Sequence, residues 1–158
     1  MKQLFLSLAT IVIATAAGFA QTAPASAPVP APAQPVVKAT DLIQFKEMVH
    51  DFGKIKQGVP VTYDFEFKNI SNQPVVIESA TASCGCTTPV KPEKPIAKGK
   101  SDVLKAGFNA AAPSPFEKTI YVKVSGAAQP MEIRIKGEVL NADAYAKYEA
   151  EKDKKSSK

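Results

Sequence analysis

Two cysteines separated by one glycine, Cys84-Gly85-Cys86, are the residues whose type and spacing point most directly to chemistry, and they are the only cysteines of the chain. Three outcomes are open to such a pair. The first is a local disulfide, as expected of thiols in an oxidising compartment. A disulfide needs Cβ atoms about 3.5–4.5 Å apart. Residues i and i+2 of a flat strand stand farther apart than that. A sharp turn is therefore required, with Gly85 expected to permit it. A ring enclosing a single residue is strained, and strained disulfides are the labile, oxidising ones. That would suit Cys84 and Cys86 to thiol–disulfide exchange.

The second outcome is a soft metal site, since thiolates suit Cu(I) or Zn²⁺. A closed structural zinc site takes four ligands, whereas this chain offers two cysteines and one histidine, His50. Met48 and Met131 add soft donors only if the fold gathers them. The ends of the first and third strands of a β-sandwich share a pole, which makes His50 beside Cys84 conceivable. Copper or zinc is thus the only cofactor chemistry in view, and none is required. The third outcome is structural: small, buried thiols, or intermolecular staples, that shape the turn before Pro89. The polar flanks Ser83, Thr87 and Thr88 fit an exposed turn and argue against deep burial.

Other motifs carry less. A Cys–His nucleophile would need His50 within reach of a thiolate and oriented by a third group, and no pattern supplies that. Asp51-Phe52-Gly53 matches the kinase tripeptide in letters, without a glycine-rich phosphate loop or the catalytic-loop signature. Asn69-Ile70-Ser71 fits the glycosylation pattern, which is empty in a bacterial-type export context. Asp64 and Glu66 fall on a solvent face. No serine elbow, P-loop or dinucleotide fingerprint is present. The sequence therefore predicts a non-enzymatic module.

The elements that must position Cys84 and Cys86 are short strands. Residues 61–68 alternate, with Val61, Tyr63, Phe65 and Phe67 on one face and Thr62, Asp64, Glu66 and Lys68 on the other. That period places one face in a core and the other in water. Further strands are predicted at residues 42–49, 75–80, 103–109, 119–124 and 131–139, separated by Gly, Pro and Asn turns. Residues 90–96 are crowded by Pro89, Pro92 and Pro95. They can form only an edge or irregular segment, and such an edge could recruit a partner by strand addition. About seven short strands over residues 41–141 predict an all-β, immunoglobulin-like β-sandwich, with a closed barrel as the runner-up.

Both ends differ from this domain. Lys2, the apolar stretch over residues 4–19 and the small residues Gly18 and Ala20 read as a signal peptide over residues 1–20, with Gln21 as the mature start. The stretch is shorter than the roughly 20 residues of a membrane span, and a soluble exported protein, periplasmic or extracellular, is expected. Residues 21–40 form a Pro/Ala-rich linker suited to an extended spacer. Residues 142–158 form an Ala/Lys-rich tail, with a short helix capped by Asn141 or Asp143 and a frayed end from Lys152. A net charge of +5, with mixed signs in the tail, gives no basic stripe for nucleic acid.

The runs His50-Asp51-Phe52-Gly53-Lys54-Ile55-Lys56-Gln57-Gly58, Phe65-Glu66-Phe67-Lys68-Asn69-Ile70-Ser71, Pro74-Val75-Val76-Ile77 and Ser83-Cys84-Gly85-Cys86-Thr87 resemble the bacterial DUF1573 family. The resemblance continues through residues 121–124 and 133–139. It is also similar to the MSP/ASH/Hydin group of immunoglobulin-like domains. The resemblance implies a seven-stranded sandwich and leaves function open. The expectation is an exported binding or structural module of the cell envelope, its partner unspecified, with thiol exchange or copper or zinc handling at Cys84-Gly85-Cys86 as the alternative.

Overall fold

The computed structural model describes residues 36–156; the expected signal peptide, and the linker up to residue 35, lie outside them. A 3-10 turn, Ala39–Asp41, leads into β1 (Ile43–Phe45), β2 (Val49–Lys56), β3 (Val61–Asn69), β4 (Ile77–Ala82), β5 (Thr87–Val90), β6 (Ser101–Phe108), β7 (Ser114–Val124), β8 (Met131–Leu140) and helix α1 (Ala142–Ser156). The strands form two four-stranded sheets, ordered β1-β3-β6-β5 and β2-β8-β7-β4. The first order is that of strands A, B, E and D of an immunoglobulin domain, and β4, β7 and β8 take the places of C, F and G. Seven strands were expected and eight are present among the described residues, because the strand over residues 49–56 was not predicted. The strand expected over residues 42–49 shortens to β1, which pairs antiparallel with β3; the chain then crosses to the other sheet, where β2 runs parallel to β8.

The alternating strands fold as their pattern dictates. Phe65 and Phe67 of β3, Leu104 of β6, Ile120, Val122 and Val124 of β7 and Ile133 and Ile135 of β8 are almost wholly removed from water between the sheets. Each such side chain is worth about 1.5–3 kcal/mol relative to exposure. Strand β7 begins five residues earlier than predicted, at Ser114, in spite of Pro115. Strand β4 pairs only with residues 120–124 of β7, so the missing Pro115 N–H faces a side with no ladder partner.

Asn69 is the fully buried polar residue at the end of β3. Its amide donates to the Gln73 and Ile96 carbonyls at 2.8 and 2.9 Å, and its oxygen accepts from the Ser71 N–H and hydroxyl at 2.9 and 2.8 Å. The letters of a glycosylation site thus form a structural hub. At the C-terminus, the Asn141 side chain accepts the Ala144 N–H at 2.9 Å and caps α1. The helix runs through Lys152, where fraying was expected, to Ser156, with Lys154 and Lys155 in its last turn complementing the helix dipole.

Candidate functional site

Cys84 and Cys86 sit where the chain leaves one sheet for the other. Strand β4 is the edge of its sheet and β5 the edge of the opposite sheet, and residues 83–86 are the bridge between them. The bridge is pinned at both ends. The Ser83 N–H donates to the Thr119 carbonyl at 2.9 Å, and the Thr119 N–H donates to the Ser83 hydroxyl at 3.3 Å. On the far side the Asn109 N–H donates to the Cys86 carbonyl at 3.1 Å. Within this frame the two sulfurs are joined as a disulfide, with Cα atoms 5.4 Å apart.

Gly85 does not do what its position implied. Its φ is not positive, and a Cβ built on it would meet nothing within 4 Å. The turn therefore makes no demand that only glycine meets. What Gly85 contributes is an exposed ring face with no side chain over it. Cys84 and Cys86 are both half-buried, and Cys86 packs against the hydrophobic core.

Thr87, which sequence reasoning placed in an exposed turn, is 4% exposed. Its hydroxyl lies 3.7 Å from Cys84 Sγ. A disulfide sulfur carries no proton, so the hydroxyl is the donor in this contact. Its burial follows from register, since β5 seats Thr87 opposite Phe108. No signal in the polar run of residues 87–88 distinguishes the buried threonine from its exposed neighbour.

His50 does not join the cysteines. The Ser83–Thr119 bond, the Thr119–Arg134 pair and the Arg134–Val49 pair form one row across the sheet. Cys84 and His50 each follow that row by one residue, which puts them at the same height but at opposite edges. Three interstrand steps separate them, roughly 14 Å. His50 instead stacks on Tyr63 of β3, ring centroids 3.5 Å apart at 8°, meets Phe52 edge-on, and has Glu47 3.7 Å from Nδ1. The Tyr63 hydroxyl donates to Glu47 at 2.7 Å, and that bond raises the tyrosine pKa above its ordinary value. Among the described residues no three His, Cys, Asp or Glu side chains gather as a metal-binding group. Met131 is buried in the core while Met48 is exposed.

Of the proline-rich residues 90–96 expected to form an edge, only Val90 belongs to a strand, β5, and Ile96 forms an isolated bridge with Val75. Cys86 and Asn109 form a hydrogen-bonded pair, so alternation turns Thr88 and Val90 toward β6 and leaves Thr87 and Pro89 facing outward. Proline has no N–H, and the Thr87 N–H already points to the Cys84 carbonyl at 3.4 Å. The outer edge of β5 therefore offers acceptors without donors.

The family model described as a protein of unknown function (DUF1573) matches residues 43–139. Among solved structures, the chain is similar to a protein of unknown function from Porphyromonas gingivalis W83, with 18% identity, a TM-score of 0.54, and coverage of 66% of this chain and 50% of that one. It is similar to the secreted serine protease VesC from Vibrio cholerae, with 13% identity, a TM-score of 0.51, and coverage of 63% of this chain and 23% of that one. It is similar also to the ASH/PapD-like domain 7 of human CEP192, with 9% identity, a TM-score of 0.52, and coverage of 70% of this chain and 94% of that one. The chain thus spans about half the length of the first of these and less of the second. Identities this low show the shared sandwich and nothing of function. No curated protein matches the chain.

Proposed function

The chain belongs to the DUF1573 family of proteins of unknown function, and from that premise we propose that it is an exported, non-enzymatic binding or structural module of the bacterial cell envelope. The Cys84–Cys86 bond carries this reading. Cytosolic thiols are kept reduced, whereas a disulfide on a surface crossover persists in the periplasm or outside the cell. The leader-like residues 1–20 support the same compartment from sequence. An immunoglobulin-like sandwich presents strand edges and loops on a rigid frame, a design suited to holding partners. Among the described residues no helix is long and apolar enough to cross a membrane.

The test is expression from its own leader in a Gram-negative bacterium, followed by fractionation, alkylation with and without reduction, and intact mass. The expected product begins at Gln21, leaves the cytoplasm, and takes up alkylating reagent on both cysteines only after reduction. A full-length chain in the cytoplasm, labelled without reduction, would overturn the reading.

A further inference from the structure

The hydroxyl of Thr87 is almost wholly buried, and it is spent on a sulfur. A disulfide sulfur is a weak acceptor, so this is a poor use of a buried donor. A thiolate at the same position is a strong acceptor, because hydrogen bonds to an ionised partner are roughly twice as strong as neutral ones. Cys84 Sγ thus faces a donor that gains most when the disulfide opens. Three further features agree with opening. The ring face at Gly85 is exposed and uncluttered. Cys84 is the sulfur that does not pack on the core, whereas Cys86 does. Hydrogen bonds to Thr119 and Asn109 hold the flanking backbone without involving either sulfur.

We propose that Cys84–Cys86 is a thiol–disulfide exchange site for a dithiol protein, with Thr87 as the positioning residue that stabilises the Cys84 thiolate. A partner thiolate attacks Cys84 Sγ. The Cys84–Cys86 bond breaks, its electron pair leaves on Cys86 Sγ, and water supplies the proton. The partner's second thiolate then attacks the partner sulfur of the mixed disulfide. Cys84 Sγ leaves as a thiolate, accepts the Thr87 hydroxyl hydrogen bond, and is later protonated. The partner dithiol becomes a disulfide, and two electrons and two protons pass to Cys84 and Cys86. Stepwise, Cys84 forms the mixed disulfide, Cys86 leaves as the free thiol, and the partner's second thiol resolves the mixed disulfide.

The experiment equilibrates the purified full chain with dithiothreitol redox buffers and then glutathione buffers, quenches with alkylating reagent, and reads the reduced fraction by intact mass. Thr87→Val keeps the shape and removes the donor; Thr87→Ser keeps the donor. Thr87→Val is expected to shift the equilibrium about tenfold toward the disulfide, the scale of one charge-assisted hydrogen bond, which is about 30 mV for this two-electron couple. Iodoacetamide labelling of Cys84 in the reduced Cys86→Ser background is expected to slow on adding Thr87→Val. Thr87→Ser is expected to restore both readouts. A purely structural Thr87 would move the thermal midpoint and leave the equilibrium alone. An equilibrium unchanged in Thr87→Val would overturn the role of Thr87, and a disulfide inert to glutathione would overturn the site. Neither result touches the compartment assigned under the proposed function, which fractionation tests separately; an active exchange site would replace only its non-enzymatic part.

Discussion

Among the described residues the chain passes between the sheets five times; two of these crossings, β1 to β2 and β4 to β5, join one edge strand to another at opposite sides of the sandwich, and the two are held by different means. Between β1 and β2, residues 46–48 carry the chain over, and the clasp is non-covalent: Tyr63 bonded to Glu47, His50 stacked on Tyr63, and Lys46 paired with Glu66. Between β4 and β5, residues 83–86 carry it over, and the clasp is a disulfide framed by backbone hydrogen bonds. The aromatic crossing leans on its neighbours, because its rings continue through Phe52 to Phe116 and through Tyr63 to Phe65. The cysteine crossing is closed within three residues. One edge is therefore held by packing and the other by a covalent bond between residues two apart in sequence.

Gly137→Ala should break the aromatic side hardest. A Cβ at Gly137 would stand 2.8 Å from the Gly53 carbonyl oxygen and 3.0 Å from the Phe116 ring. Backbone cannot yield as a flexible side chain does, so β2 must move off β8. The expected loss is about 2–3 kcal/mol, the upper range for an overpacked site, read as a fall in the urea midpoint. Hydrogen exchange should show the β2 amides losing protection while β4 and β5 keep theirs. Equal loss on both edges would mean the crossings are not independent.

Replacing Cys84 and Cys86 together by serine tests the other edge. A cross-link enclosing so short a loop restrains the unfolded chain little, about 1–2 kcal/mol on the loop-entropy scale. The double variant should fold, with a modest drop in thermal midpoint and unchanged protection in β2. A failure to fold would make the ring a structural staple and close off its redox use. Tyr63→Phe removes only the hydroxyl bond to Glu47, which lies at the surface, and should lower the thermal midpoint by less than the double cysteine variant does, with the His50 stacking intact. A larger cost would show that the polar clasp, not the stacking, holds the first crossing.

The two crossings also differ in how far the sequence exposes them. Cys84-Gly85-Cys86 announces its chemistry by residue type alone, whereas the aromatic crossing is invisible to periodicity. Its inward positions are His50, Phe52 and Ile55, spaced two and then three apart because the β2–β8 register shifts between Asp51 and Lys54. A bulge breaks the period that a strand is recognised by. Strands β3 and β8 carry no such shift, and their alternation is plain from Val61 and from Met131 onward. The position of Gly85 between two cysteines suggests a backbone freedom that it does not use, while Gly53, at φ +65°, needs it. Thr87 stayed hidden for a different reason: its burial comes from pairing with a strand some twenty residues away, which no local composition encodes.

The smallest effect should come from acid, and it also belongs to the bulge. Gly53 donates its N–H to the Asp51 carboxylate at 2.8 Å, closing the turn that lets β2 change register. That bond, aided by Lys136, holds the Asp51 pKa below its ordinary value of 3.8. A carboxylate with a depressed folded-state pKa stabilises the fold above its unfolded value and loses that contribution as pH falls through the folded one. Stability should therefore decline below pH 3.8 in part through Asp51. Asp51→Asn keeps an oxygen for the Gly53 N–H and cannot titrate, so its acid-side slope should be slightly shallower than that of the parent in urea titrations between pH 2 and 5. Because Lys136 belongs to β8, the bond joins the bulge electrostatically to the strand that β2 must follow. Identical slopes would mean that the bulge is set by Gly53 and Gly137 alone, through backbone conformation and close approach, with the carboxylate a bystander at the rim.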